Sequence, residues 1–378
     1  MFLFERLFGI AAYMTILILV CFLLVKTNLS RKASLRFYLL CLCVMAFFYK
    51  PYVTADLYRI YETTDYFSTI PFVEFWRRFI VGSDIPAARL LYWCIGKTGV
   101  KALLPTFSAF VCYSLIFYVI NKTSELFSIS KRNVACVLFF VMTTSIYISV
   151  IGGIRMMTSI CFIMFGYFRG TVEKKFGLID ILFYVISILT HAMSFVIIGI
   201  CILVSLFDSS KKALQRIGYV LIVAVAGVAL SANISTTVNN LYQKFLDYIF
   251  GDKYSDSWEY LMGAFIIILL LLSFLEFRPI RKDKNYRLLK SYNTASLLFI
   301  VIAVCFCFEF SIFYRFGAQL AVLFSVPSML VALEERGSKT NSFISRIGFK
   351  NAMILLSIII AAISCARGSL SSLKFFEL

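Results

Sequence analysis

Long uninterrupted runs of apolar residues recur along nearly the whole 378-residue chain. A helix needs about 20 apolar residues to cross the hydrocarbon core of a bilayer, and its backbone hydrogen bonds are then satisfied internally. Strands of an outer-membrane barrel would alternate in hydrophobicity, whereas these runs are continuous. The composition agrees, because 15% of the residues are charged, against about 25% in a soluble domain. The sequence therefore predicts an all-α, polytopic integral membrane protein.

We predict about 12 transmembrane helices in a single membrane domain that covers residues 1–378. The first run is followed by basic residues and not by a small-residue cleavage site, so we expect it to be retained as a span. The sixth and seventh spans are separated only by a turn at Thr190–Ala192, and one of them is alternatively re-entrant. The predicted spans are 7–25, 35–50, 102–120, 134–151, 154–169, 177–190, 192–207, 216–231, 260–277, 292–308, 316–333 and 350–366.

Most lysines and arginines lie in the short loops that follow the odd-numbered spans. Basic residues collect in cytoplasmic loops, so topology explains most of the net charge of +17 without a nucleic-acid partner. Both termini and the ends of the even-numbered spans are then expected outside. Two long segments, 50–101 and 231–259, become extracytoplasmic. The first mixes aromatic and charged residues at Phe72–Phe79, and we expect it to form helices in the membrane interface.

Topology does not explain the charged residues at the outer ends of the helices. Ionisable groups near a membrane are costly and usually functional. Each has a structural alternative. Arg155 would anchor a helix end by snorkelling, and His191, the single histidine of the chain, would cap a turn. Asp56 would form an exposed local ion pair of small energetic value with Arg59, and Glu309 would form a structural ion pair with Arg315.

Their common position on the outer face favours a shared role in binding an anionic, lipid-linked substrate. A guanidinium group is the natural partner of phosphate oxygens, and several cations together would neutralise a diphosphate and stabilise it as a leaving group. Tyrosine rings would stack against sugars. The candidates for substrate binding are Arg155, Arg315, Lys50, Arg59, Tyr58 and Tyr314.

Three side chains are candidates for the group that takes a proton from an attacking sugar hydroxyl: His191, Asp56 and Glu309. The sequence contains no glycine-rich phosphate loop and no cluster with the spacing of metal ligands. We therefore expect a mechanism without a metal ion and without a cofactor.

Several short elements resemble those of the EpsG family and of the related Wzy-type O-antigen and capsular polysaccharide polymerases. They are the glycine–arginine element Gly153-Ile154-Arg155, the histidine–serine element His191-Ala192-Met193-Ser194, the pair Tyr49-Lys50 with Ala55-Asp56-Leu57-Tyr58, and a late arginine element, Tyr314-Arg315-Phe316. The chain departs from the family pattern at three positions: Lys50 replaces an arginine, Ala55 interrupts a Gly-Thr-Asp sequence, and Met156 replaces a glutamine.

The resemblance implies a GT-C-like glycosyltransferase of the bacterial inner (cytoplasmic) membrane. Such an enzyme moves a growing glycan from undecaprenyl pyrophosphate onto another lipid-linked repeat unit at the extracytoplasmic face. Its partners would be the lipid-linked donor and acceptor, the bilayer and a chain-length regulator protein, with no nucleic acid. Two alternatives remain open: a flippase for lipid-linked oligosaccharides, and an O-antigen ligase-type or other membrane transferase. A transporter typically shows repeats and charges near the bilayer midplane, neither of which the sequence indicates.

Overall fold

The computed structural model describes residues 2–53, 55–144, 146–206, 257–277, 284–307, 309–339 and 343–366. Every regular element in these ranges is a helix, which confirms the prediction of an all-α protein. The predicted span 216–231 lies outside the described residues, as does the predicted outer loop 231–259 apart from residues 257–259.

Sixteen α-helices are defined in the described ranges, and three of them continue into short π-helical segments at Trp76–Ile80, Arg169–Glu173 and Tyr314–Ala321. The α-helices are α1 Phe2–Lys26, α2 Arg31–Phe48, α3 Asp56–Ser68, α4 Phe72–Phe75, α5 Pro86–Thr98, α6 Leu103–Leu126, α7 Lys131–Thr143, α8 Ile146–Gly152, α9 Ile154–Phe168, α10 Leu178–Thr190, α11 Ser194–Leu206, α12 Ser257–Phe277, α13 Lys284–Cys305, α14 Phe310–Phe313, α15 Val322–Lys339 and α16 Phe343–Ala366.

Several of these helices have the length and composition of membrane spans. The described ranges contain five such segments, and a sixth if α7 and α8, bent by 56° at a short break, are one span. Three further apolar helices are shorter. The protein is thus a multi-pass membrane protein, while the count of about 12 spans and the GT-C-like fold stay predictions. The five segments are Leu7–Lys26, Leu103–Leu126, Leu288–Cys305, Tyr314–Glu334 and Gly348–Ala366.

Helix boundaries follow from local chemistry. Ser30 caps α2, because its Oγ accepts a hydrogen bond from the Ala33 backbone N–H at 3.2 Å. Helix α5 has a proline at its first position, where the missing N–H costs nothing, and it ends at Gly99 in the left-handed conformation with φ of 72°. In α10, the Asp180 carboxylate accepts from the Gly177 N–H at 2.8 Å and closes the first turn.

The chain forms two compact units that alternate along the sequence. The first unit comprises Met1–Lys50, Tyr113–Ile148 and Tyr254–Leu378, and the second comprises Pro51–Cys112 and Ser149–Lys253. In the first unit, the buried Tyr13 donates from Oη to the Met142 carbonyl at 2.6 Å and joins α1 to α7. Helix α15 is also linked to the start of α7, since Glu334 Oε2 accepts a hydrogen bond from the backbone N–H of Ser130 at 2.8 Å.

In the second unit, α3, α4 and α5 pack around an aromatic core. The Phe67 and Phe75 ring centroids are 5.1 Å apart, and Trp93 donates from Nε1 to the Ile70 carbonyl at 3.0 Å. Helices α3 and α5 approach very closely at Gly96, because a Cβ atom there would lie 2.7 Å from the Thr64 carbonyl oxygen. Only glycine fits this contact without a shift of the backbone.

Candidate functional site

Arg155 lies in the first turn of α9, one residue beyond the pair Gly152-Gly153. The Gly153 N–H donates to the Ser149 carbonyl at 2.8 Å, and a Cβ atom on Gly153 would lie 2.9 Å from the same oxygen. The second glycine therefore permits the tight connection between α8 and α9. The Arg155 side chain is half-buried, and its guanidinium group has no hydrogen bond or ion pair within the described part of the chain.

Buried serines join α9, α10 and α11. Ser187 Oγ donates to the Ser159 carbonyl at 2.9 Å, and Ser159 Oγ lies 3.1 Å from the Ser187 carbonyl, so α9 and α10 are linked reciprocally. Ser194 Oγ, in the first turn of α11, also donates to the Ser187 carbonyl at 2.9 Å. Arg155 precedes Ser159 by one turn and His191 follows Ser187 by one turn. The antiparallel hairpin thus brings Arg155 and His191 to the same end, as the sequence predicts.

The other end of this hairpin is held by an ion pair. Arg169 Nε lies 3.3 Å from Asp180 Oδ1, and the Asp180 side chain is fully buried. The Arg169 guanidinium also lies over the Phe165 ring, 5.6 Å from its centroid. The positive charge of Arg169 therefore has a carboxylate partner, whereas that of Arg155 has none among the described residues.

His191 ends α10 in an extended conformation, with φ of −154° and ψ of 128°. Its backbone N–H donates to the Ser187 carbonyl at 3.1 Å, and its Nδ1 accepts from the Met193 backbone N–H at 3.2 Å. A neutral imidazole with Nδ1 as acceptor carries its proton on Nε2, so this hydrogen bond assigns the tautomer. In this arrangement Nε2 is a hydrogen-bond donor.

Tyr92 in α5 is a candidate site residue that the sequence did not indicate. Its side chain is 3% exposed, and its Oη has no hydrogen-bond partner among the described residues. Burial raises the pKa of Tyr92 to about 12, while the positive charge of Arg155 acts to lower it and the negative charge of Asp56 acts to raise it. Arg155 and Asp56, which also belong to the second unit, are therefore each within electrostatic range of Tyr92. Only the folded structure reveals this, because Tyr92 lies in an ordinary apolar stretch.

Asp56 and Arg59 form an ion pair within α3. This pair is the structural alternative to a role of the two residues in catalysis or substrate binding. Arg59 Nη2 lies 2.9 Å from Asp56 Oδ1, and both side chains are about two-thirds exposed. Exposed pairs of this kind contribute little to stability, so the Asp56 carboxylate remains accessible. Tyr58, in the same first turn of α3, is half-exposed.

The remaining candidates belong to the first unit. Lys50 is exposed just beyond the end of α2, whereas Glu309 is buried and its backbone carbonyl accepts from the Phe313 N–H at 3.0 Å. Tyr314 and Arg315 are half-buried at the start of the π-helical segment Tyr314–Ala321.

No set of three or more His, Cys, Asp or Glu side chains within the described ranges has the arrangement of a metal site. The metal-free mechanism stays a prediction. Neither the known protein families nor the curated proteins match this chain. Membership of the EpsG and Wzy-type family therefore stays a prediction that rests on the short motifs.

Proposed function

We propose that the protein is a membrane glycosyltransferase that polymerises surface polysaccharide from undecaprenyl-pyrophosphate-linked repeat units. The observation that supports this most directly is the half-buried Arg155 guanidinium, which lacks an ion pair among the described residues. A permanently charged group in a partly desolvated position is costly without an anion. Its place at the N-terminal end of α9 adds the positive end of the helix dipole, and the backbone N–H groups there suit phosphate oxygens.

The topology supports an extracytoplasmic reaction in the bacterial inner membrane. Under the distribution of basic residues in the loops, the end of the hairpin that carries Arg155 and His191 faces outward. A GT-C-like architecture with about 12 spans would hold that end at the outer surface, where the donor's isoprenoid tail is anchored in the bilayer.

In the proposed reaction, the acceptor sugar hydroxyl attacks the anomeric carbon of the donor glycan. A new C–O bond forms there while the bond from that carbon to the phosphate oxygen breaks, and undecaprenyl diphosphate leaves with the electron pair. Arg155 binds the diphosphate and stabilises its charge. The Asp56 carboxylate, which is exposed, would receive the hydroxyl proton. Tyr58 and Arg59 are candidates for contacts to the sugars.

The hydrogen bonding of His191 suits a role in binding the leaving group and not the role of a general base. Because Nδ1 is occupied by the Met193 N–H, Nε2 donates and does not accept a proton. His191 would then donate a hydrogen bond to the diphosphate beside Arg155. Lys50, Glu309, Tyr314 and Arg315 stay candidates, and each is tested by its own substitution.

The decisive experiment replaces Arg155 with alanine and measures polymer formed by purified protein from lipid-linked repeat units in detergent. We expect Arg155→Ala to reach the membrane in normal amounts and to lose chain extension, with partial activity in Arg155→Lys. Lys122→Ala is the control, since Lys122 lies in the first unit and pairs with Glu125 at 3.2 Å within α6. Full-length polymer from Arg155→Ala would refute the assignment.

The same assay separates the alternatives. A flippase needs two aqueous compartments, so polymer made in detergent without a sealed membrane excludes pure transport. An O-antigen ligase-type transferase would instead transfer the glycan once, to a different acceptor. Successive additions to a lipid-linked acceptor therefore support polymerisation, and a single addition to lipid A core would support the ligase.

A further inference from the structure

The helical segment Phe72–Ile80, made of α4 and its π-helical continuation, has three distinct sides. One side is buried: Phe75 is fully enclosed and its ring stacks on Trp93 at 5.6 Å. A second side is apolar and exposed. A third side carries charge, with Glu74 paired to Arg78.

The exposed apolar side is large for so short a segment. Val73 is 73% exposed, Trp76 is 45% exposed, and Val81, which follows the segment, is 64% exposed. The Phe72 and Trp76 rings lie side by side, with their centroids 5.7 Å apart. Soluble surfaces rarely concentrate aromatic and branched aliphatic side chains in this way without a partner.

Two observations indicate which partner covers this side. Its valines match acyl chains, whereas a sugar-binding platform would need aromatic faces and not aliphatic side chains. Arg77 is exposed next to Trp76 and has no ion-pair partner among the described residues, so its charge is available for lipid phosphate. Tryptophan and arginine together are typical of the interface between headgroups and acyl chains.

The chain also connects this segment, through α5, to an apolar helix long enough to span a membrane. Phe72 packs against Trp93 of α5 at 5.2 Å, α5 ends at Thr98, and the apolar segment Leu103–Leu126 begins shortly after it. The Phe75–Trp93 ring contact and the Trp93–Ile70 hydrogen bond hold the buried side of the segment against α5.

We propose that the segment Phe72–Ile80 is a membrane-interface anchor whose partner is the phospholipid surface of the outer leaflet. Phe72, Val73 and Trp76 insert among the upper parts of the acyl chains, and Arg77 binds phospholipid phosphate. The anchor would hold α3 and α5 at the level of the headgroups, which is where a lipid-linked diphosphate is presented.

Tryptophan fluorescence of the full-length protein in vesicles of phosphatidylethanolamine and phosphatidylglycerol tests the proposal. The Trp76 signal is the difference between the wild type and Trp76→Phe, which leaves Trp93 in its native packing. We expect phospholipids brominated near the carbonyl end of the acyl chains to remove most of the Trp76 signal, and aqueous iodide to remove little. Val73→Asp should shift Trp76 toward iodide quenching, whereas Glu62→Lys, an exposed change on α3, should leave the quenching unchanged.

Two results would overturn the proposal. Quenching of Trp76 by iodide alone would place this side in water. Protection of Trp76 from both quenchers would show that protein covers it, either a second copy or another part of this chain. These results are independent of the glycosyltransferase activity, because the measurement needs no substrate.

Discussion

The arginines at the ends of helices differ in the partners of their guanidinium groups. Arg31 donates from Nε to Asn121 Oδ1 at 3.1 Å and from Nη1 to the Ile129 carbonyl at 3.2 Å, and Arg169 pairs with Asp180. These two side chains have structural roles that the described residues account for. Arg155 has none of these contacts in the described ranges. Because of this contrast, we propose that Arg155 binds a ligand.

Tyr92→Phe tests whether the buried hydroxyl is kept for folding or for function. An unsatisfied buried hydroxyl costs about 1–3 kcal/mol, so its removal should leave thermal stability unchanged or raise it. Chain extension should fall, because the hydroxyl lies in the electrostatic field of Arg155 and Asp56. The melting temperature in detergent and the polymerisation rate are measured on the same preparation. A lower melting temperature would instead show a folding role.

His191 gives a second prediction at this scale. In His191→Gln the amide nitrogen can replace Nε2 as a donor, so we expect it to keep part of the activity, while His191→Ala loses it. The polymerisation rate of each purified variant checks this, and equal loss in the glutamine and alanine variants would make His191 the base.

At the scale of helices, the α9–α10–α11 connection depends on side-chain hydrogen bonds to backbone carbonyls. Ser187→Ala removes the donor to Ser159 and Ser194, and we expect a loss of about 1 kcal/mol of stability together with reduced chain extension. Ser357→Ala is the matched control, because Ser357 is similarly buried and its one hydrogen bond within the described ranges goes to Met353 in its own helix at 2.6 Å. Thermal unfolding in detergent compares the two, and equal shifts would argue against a tie between helices.

The predicted span 134–151 shows that the sequence predicts a helical run but not a bend within it. The structure divides it into α7 and α8, with a 56° bend at the break. Thr143 and Thr144 donate from their hydroxyls to the carbonyls of Phe140 and Val141, at 2.9 and 2.6 Å. Such local bonds compete with the helical pattern. The apolar run predicts the helix, but which bond a threonine makes depends on packing around it.

For the molecule as a whole, hydropathy predicts the helical class, and the short turn between α9 and α10 predicts that Arg155 and His191 share one end. The packing of the outer helices is not visible in the sequence. The contact of Gly96 with Thr64 and the enclosure of Tyr92 join residues that are far apart in the chain. Such contacts depend on the complementary shapes of several helices, and neither periodicity nor motif spacing encodes them.

The hairpin of α9 and α10 has a further consequence for the bilayer around it. Helix α10 has 13 residues, so it rises about 20 Å, whereas the hydrocarbon layer is about 30 Å thick. Both ends of the hairpin carry ionisable groups, the pair Arg169–Asp180 at one and Arg155 with His191 at the other. When this hairpin crosses a membrane, the lipids beside it have to thin or water has to enter from one side. A diphosphate could then meet Arg155 in a hydrated depression while its isoprenoid chain remains among the lipids.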